Sequence, residues 1–124
     1  MLEENSEKLT LNISVVDLGK IDYLVSQGYY GNRTDFLRSA VKRQLDGHEA
    51  ALKRDFVEKN ITIGIVRIGP HDLEKAGGLQ DCVVLGMLIV APDVTLEMMK
   101  RAYRKLTVYG KVKCSREIEY YYEL

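Results

Sequence analysis

The sequence predicts an α+β protein in two parts, a strand followed by two helices at the amino end and a small α/β domain at the carboxyl end. Three observations carry this prediction. Apolar and polar residues alternate strictly over residues 8–15, apolar residues then recur at helical spacing as far as Leu45, and Gly64, Gly86 and Gly110 each lie in a strand-like run followed by a helix-like one. At 124 residues, with 46% apolar and 29% charged side chains, the chain is long enough for one ordinary domain or for two very small ones that lean on a partner. Oligomerisation is therefore expected. No apolar run approaches the ~18 residues of a membrane span. The polar, acidic start over residues 1–8 lacks the basic and apolar stretches of a secretory leader. A cytoplasmic location, away from membranes, is expected.

In the alternating stretch Leu9, Leu11, Ile13 and Val15 form one face, and Lys8, Thr10, Asn12 and Ser14 the other. A lone strand leaves its ladder donors and acceptors unmet, and no second strand follows it. Pairing with the same strand of a second chain meets that need. Ser14, three residues before Asp17, then opens a helix over about residues 15–27 with Leu18, Ile21 and Leu24 at helical spacing. It stops at Gly28, where the absence of a Cβ permits a left-handed terminal residue. Tyr29, Tyr30 and Gly31 turn the chain, and Asn32 caps a second helix whose stripe is Phe36, Leu37, Ala40, Val41 and Leu45. Beyond the break at Asp46 and Gly47, Ala51, Leu52 and Phe56 predict a further helix, either separate or continuous with the second.

With KLTLNIS, a first helix closing at Gly28, and YGNRTDFLRSAVKRQL in that order, residues 8–45 resemble the ribbon-helix-helix family of repressors and antitoxins. The resemblance implies a homodimer whose two strands form an antiparallel ribbon inserted in the major groove of double-stranded DNA. Its base-facing positions fall on Lys8, Thr10 and Asn12, and its phosphate clamp on Asn32, Arg33 and Thr34. Leu9, Leu11, Ile13, Leu18, Ile21, Leu24, Leu37 and Val41 are the expected dimer core. The side chains suit these roles. Asn bonds adenine N6 and N7 together, Thr donates, accepts or touches a thymine methyl, and Lys favours guanine acceptors or phosphate. A helix start offers free N–H groups to a phosphate oxygen, which positions the protein without specifying sequence. Because 18 basic residues balance 18 acidic ones, any attraction to DNA has to be local.

Aligning Gly64, Gly86 and Gly110 gives periods of about 22 to 24 residues. Two residues on stand Val66, Leu88 and Val112, and four on stand Ile68, Val90 and Cys114, all apolar. Pro70 and Pro92 fall at the same place in two of the units. Helix-like spacing follows at Leu96, Met99, Ala102 and Leu106 behind a Thr95 cap, and Ser115 caps a last helix ending in Tyr120, Tyr121 and Tyr122. Two architectures fit, a short strand-helix solenoid with parallel strands and an α/β sheet without true repeats. On the opposite strand face Ile63, Ile65, Leu85, Met87 and Ile89 are apolar whereas Tyr109, Lys111 and Lys113 are largely polar, so the first five call for cover by another subunit or by the preceding helix, and contacts to another subunit are the favoured expectation. The expected organisation is a flexible acidic start over 1–7, the ribbon-helix-helix domain over 8–46, a helical connector over 47–60, and an oligomerisation domain over 61–124.

No nucleophile signature, paired-carboxylate motif or phosphate-cradling glycine loop occurs at usable spacing, so an enzyme is not expected. Cys82 and Cys114 sit in apolar runs and read as reduced core residues, His48 as a surface or packing residue. With His71 they form no closely spaced ligand pair, so neither metal nor cofactor is expected. The sequence thus points to a DNA-binding transcriptional regulator of the repressor kind, acting as a dimer or as a tetramer or larger assembly. An antitoxin or interaction module using the ribbon only to dimerise is the alternative, and a ligand- or metal-sensing regulator the third.

Overall fold

The computed structural model describes residues 6–75 and 77–124. Of the acidic start expected at 1–7, residues 1–5 lie outside the described residues. The described chain separates into two compact units, residues 6–53 and 54–124.

In the first unit α1 (Val15–Ser26) and α2 (Arg33–Asp46) are joined by a turn. Each start is fixed by its cap. The Asp17 amide donates to Ser14 Oγ at 3.1 Å, and the Asp35 amide donates to Asn32 Oδ1 at 2.8 Å. The end of α1 is fixed by Gly28, at φ +84°. Its amide donates to the Val25 carbonyl while Tyr29 N–H reaches back to Leu24, the paired bonds that close a helix at a left-handed residue. Ile21 is buried, Leu18, Leu24 and Leu37 are half-buried, and Tyr30 meets Phe36 edge-to-face at 4.9 Å between centroids. Residues 6–14 carry no strand in the single chain, because among the described residues none pairs with them to complete a ladder. The helix beyond α2 is a separate one, α3 (Glu49–Glu58), since the chain turns at Gly47 and His48.

The second unit repeats strand and helix: β1 (Ile61–Ile68), α4 (Pro70–Glu74), β2 (Gln80–Val90), α5 (Leu96–Ala102), β3 (Tyr103–Lys113) and α6 (Arg116–Tyr122). The strands form one parallel sheet in chain order. Gly64 lies opposite Gly86, and Gly86 opposite Gly110, so the glycine spacing of the sequence is the register of the sheet. Alternate residues face opposite sides of the sheet. Ile68, Leu88, Val90 and Leu106 form the core with Val94, with Met99 of α5, and with Ile118 and Tyr122 of α6; Leu73 of α4 packs against them. All three helices therefore cover one face. Cys82 and Cys114 pack beside this core, and burial pushes both thiols above their ordinary pKa.

One expected helix is shorter than its spacing suggested. Leu106 belongs to β3, because α5 ends at Ala102 and Tyr103 is already extended at φ −126°, ψ 120°. The β-favouring run of Tyr103, Thr107, Val108 and Tyr109 prevails there over helical spacing. Among the described residues, no helix is long and apolar enough to cross a membrane.

Candidate nucleic-acid interface

The α2 start is built from a short polar sequence. Asn32 Oδ1 accepts from the Asp35 amide, and Asp35 Oδ2 in return accepts from the Gly31 amide at 2.9 Å. The Asn32 cap is the one read from the sequence, and the return bond from Gly31 to Asp35 is added by the structure. The first amides of α2, those of Arg33 and Thr34, have no carbonyl one turn earlier within the helix and so point outward at its positive end. Asn32, Arg33 and Thr34 are all exposed and adjacent there.

The Arg33 guanidinium has a specific partner. Its Nε donates to Asp22 Oδ1 and its Nη2 to Asp22 Oδ2, each at 2.8 Å, a two-pronged pair joining α1 to the start of α2. The hydrogen bonds from Arg33 hold the Asp22 carboxyl below its ordinary pKa, and the same contact raises that of Arg33. Sequence reasoning missed Asp22. The two residues lie on different helices with the Gly28 turn between them, so no single periodicity relates them, and only the packing of α1 beside α2 brings the pair together.

Lys8, Thr10 and Asn12 lie in the extended segment ahead of α1 and are exposed. So are their apolar neighbours, Leu9 at 88%, Leu11 at 65% and Ile13 at 39%, and Val41 on α2. Of the expected dimer core, Ile21 is buried within the single chain while Leu9, Leu11 and Ile13 are exposed, Ile13 the least.

The profile of the ribbon-helix-helix transcriptional regulator family matches residues 4–119, across both units. The chain belongs to that family. No curated protein and no solved structure matches it. For this ribbon-helix-helix protein, the match extends beyond the amino-terminal segment and its two helices to the strand-helix repeats, so the second unit is part of what the family shares rather than an appendage. Ile63 and Ile65 are exposed on the sheet face away from the helices, Leu85 and Ile89 are half-buried, and Met87, in the middle of the central strand, is buried. His48 and His71 are exposed, and among the described residues no three His, Cys, Asp or Glu side chains gather as a metal site would require.

Proposed function

We propose that this protein is a sequence-specific repressor that binds double-stranded DNA in the cytoplasm as a homodimer. The observation that carries the reading is the segment over residues 8–14 ahead of α1, which forms no strand in the single chain. Leu9, Leu11 and Ile13 are exposed there in a single chain, and in the sequence they alternate with Lys8, Thr10 and Asn12. Two such segments paired antiparallel bury Leu9, Leu11 and Ile13 against Leu18, Leu24, Leu37 and Val41, and satisfy each other's ladder groups. The polar faces of both strands then make a ribbon that fits the major groove, where Lys8, Thr10 and Asn12 meet base edges.

The exposed amides at the α2 start, with the Thr34 hydroxyl, hold a backbone phosphate. A phosphate has to compete with Asp22 for the Arg33 guanidinium, and Asp35 places a negative charge beside the same amides. The reading head is therefore modest in charge. The second unit offsets this by joining dimers into a tetramer or larger assembly through the sheet face away from its helices, where Ile63 and Ile65 are exposed and Leu85, Met87 and Ile89 lie beside them, half-buried or buried. Linked dimers gain affinity through effective concentration without new base contacts.

The test begins with selection of bound sequences from random DNA at stated salt. Asn12→Ala should then weaken the selected site by about 1–3 kcal/mol while leaving random DNA nearly unaffected. Equal losses on both would overturn the base-reading role.

A further inference from the structure

Gly86 and Gly110 are glycine for a visible reason. A Cβ on Gly86 would run into the Gly64 carbonyl oxygen, and a Cβ on Gly110 into that of Gly86. Both residues have positive φ, +136° and +125°. Gly64 has the same conformation, φ +129°, yet among the described residues nothing lies within 4 Å of where its Cβ would stand. These contacts run in one direction, each strand receiving the carbonyl of the strand before it. The open position at Gly64 accordingly faces the outer edge of β1, and the Gly110 carbonyl lies at the outer edge of β3. The free edges of the sheet are the two halves of a contact that the sheet makes twice within itself.

We propose that copies of this chain join edge to edge, β3 of one beside β1 of the next, parallel and with Gly110 opposite Gly64. In that register Thr107 meets Ile61, Tyr109 meets Ile63, and Lys111 meets Ile65. The large apolar side chains left exposed on the strands are Tyr109 at 62%, Ile63 at 55% and Ile65 at 44%, all on the two edge strands. The register sets Tyr109 against Ile63 as a cross-strand pair and gives Ile65 a lysine stem for cover. It also satisfies the outward N–H and C=O groups that an edge strand leaves open. One neighbour is unfavourable, Lys113 beside Arg67, both exposed. Salt should therefore strengthen the contact. Because the two edges differ, the contact is head-to-tail, and it propagates unless the rotation closes a ring. This inference adds an edge contact beside the sheet-face assembly of the proposed function and is independent of DNA reading.

The test uses two differently tagged full-length chains expressed together, one carrying Tyr109→Cys and the other Ile63→Cys. Neighbouring strands place Cα atoms at roughly 5 Å, within disulfide reach. Mild oxidation should link the two tags, while neither variant alone, nor the wild type with Cys82 and Cys114, gives a link. Adding Arg67→Glu to the chain that carries Ile63→Cys should raise the linked fraction severalfold at low salt. Self-linking of the Ile63→Cys chain would instead place β1 against β1, and absence of any link would leave the edges unpaired; either overturns the proposal. So does a linked fraction indifferent to Arg67→Glu. Sedimentation beyond a dimer without edge disulfides would exclude edge pairing while leaving sheet-face assembly and DNA reading intact.

Discussion

Tyr122 joins two kinds of stabilisation in one side chain. Its ring closes the core of the second unit, and its hydroxyl donates to the Tyr103 carbonyl oxygen at 2.7 Å. Burial, with smaller contributions from Tyr121 and Tyr103, pushes its pKa up to about 12 from an ordinary 10.0. A folded-state value above the unfolded one favours the protonated, folded form. The stabilisation is complete below pH 10.0 and is lost as pH rises towards about 12. Tyr122→Phe should cost about 1 kcal/mol in denaturant unfolding and flatten that alkaline decline. Asp22 behaves in the opposite sense. Its lowered pKa means that its pairing with Arg33 contributes above the ordinary 3.8 and is lost as pH falls through the folded value. Asp22→Asn should free the Arg33 guanidinium, tighten binding to random DNA, and steepen its salt dependence by about one counterion. An unchanged salt slope would show that Arg33 does not reach phosphate. Caps such as Asn32 with Asp35 were readable because their partners are three residues apart. Asp22 with Arg33 was not, because the pair is made by tertiary geometry.

At the level of elements, the glycine ladder ties the three strands to one another. Gly86→Ala combines a strained positive φ with a collision against backbone, so it should destabilise the second unit by more than the ~1–3 kcal/mol of backbone strain alone. Loss of its far-ultraviolet strand signal at a lower denaturant concentration would report this. Asn32→Ala, which removes one capping bond from α2, should cost only about 1 kcal/mol. Much of this architecture was legible. The alternation of Val66 and Ile68, of Leu88 and Val90, and the spacing of the glycines gave strand, face and register together. The end of α5 was not legible, because Leu106 satisfies a helical period from Ala102 and a strand period with Val108 equally well. The neighbouring β-branched and aromatic residues decide the outcome, together with the place for Leu106 in the core.

For the molecule as a whole, two compact units within one family profile make the proposed reading and assembly roles testable by truncation. Removing residues 61–124 should leave a dimer that still selects the same DNA sequence but binds it more weakly, and sedimentation of an unchanged assembly would exclude a linking role for the second unit. Met99→Ala should separate the units in another way. Met99 is fully buried, and its loss should cost about 2–5 kcal/mol in the second unit, with α1 and α2 protected in hydrogen exchange as before. The unpaired segment over residues 8–14 shows where a sequence says more than one chain can display. Its alternation announces a strand, and the ladder that would make it one has to come from another molecule.

The passage from α5 to β3 has a consequence for any attempt to lengthen or label this protein. Helix ends at Ala102 and strand begins at Tyr103 with no connecting residue, whereas a loop separates α4 from β2. A single residue inserted between Ala102 and Tyr103 would shift β3 by half a pleat, turning Leu106 and Val108 outward and carrying Lys105 and Thr107 into the core. The same insertion at Gly77 or Gly78 meets exposed chain and is absorbed. Reporter groups and linkers therefore belong in the first crossover, and the second behaves as a fixed hinge-free splice that sets the phase of the last strand.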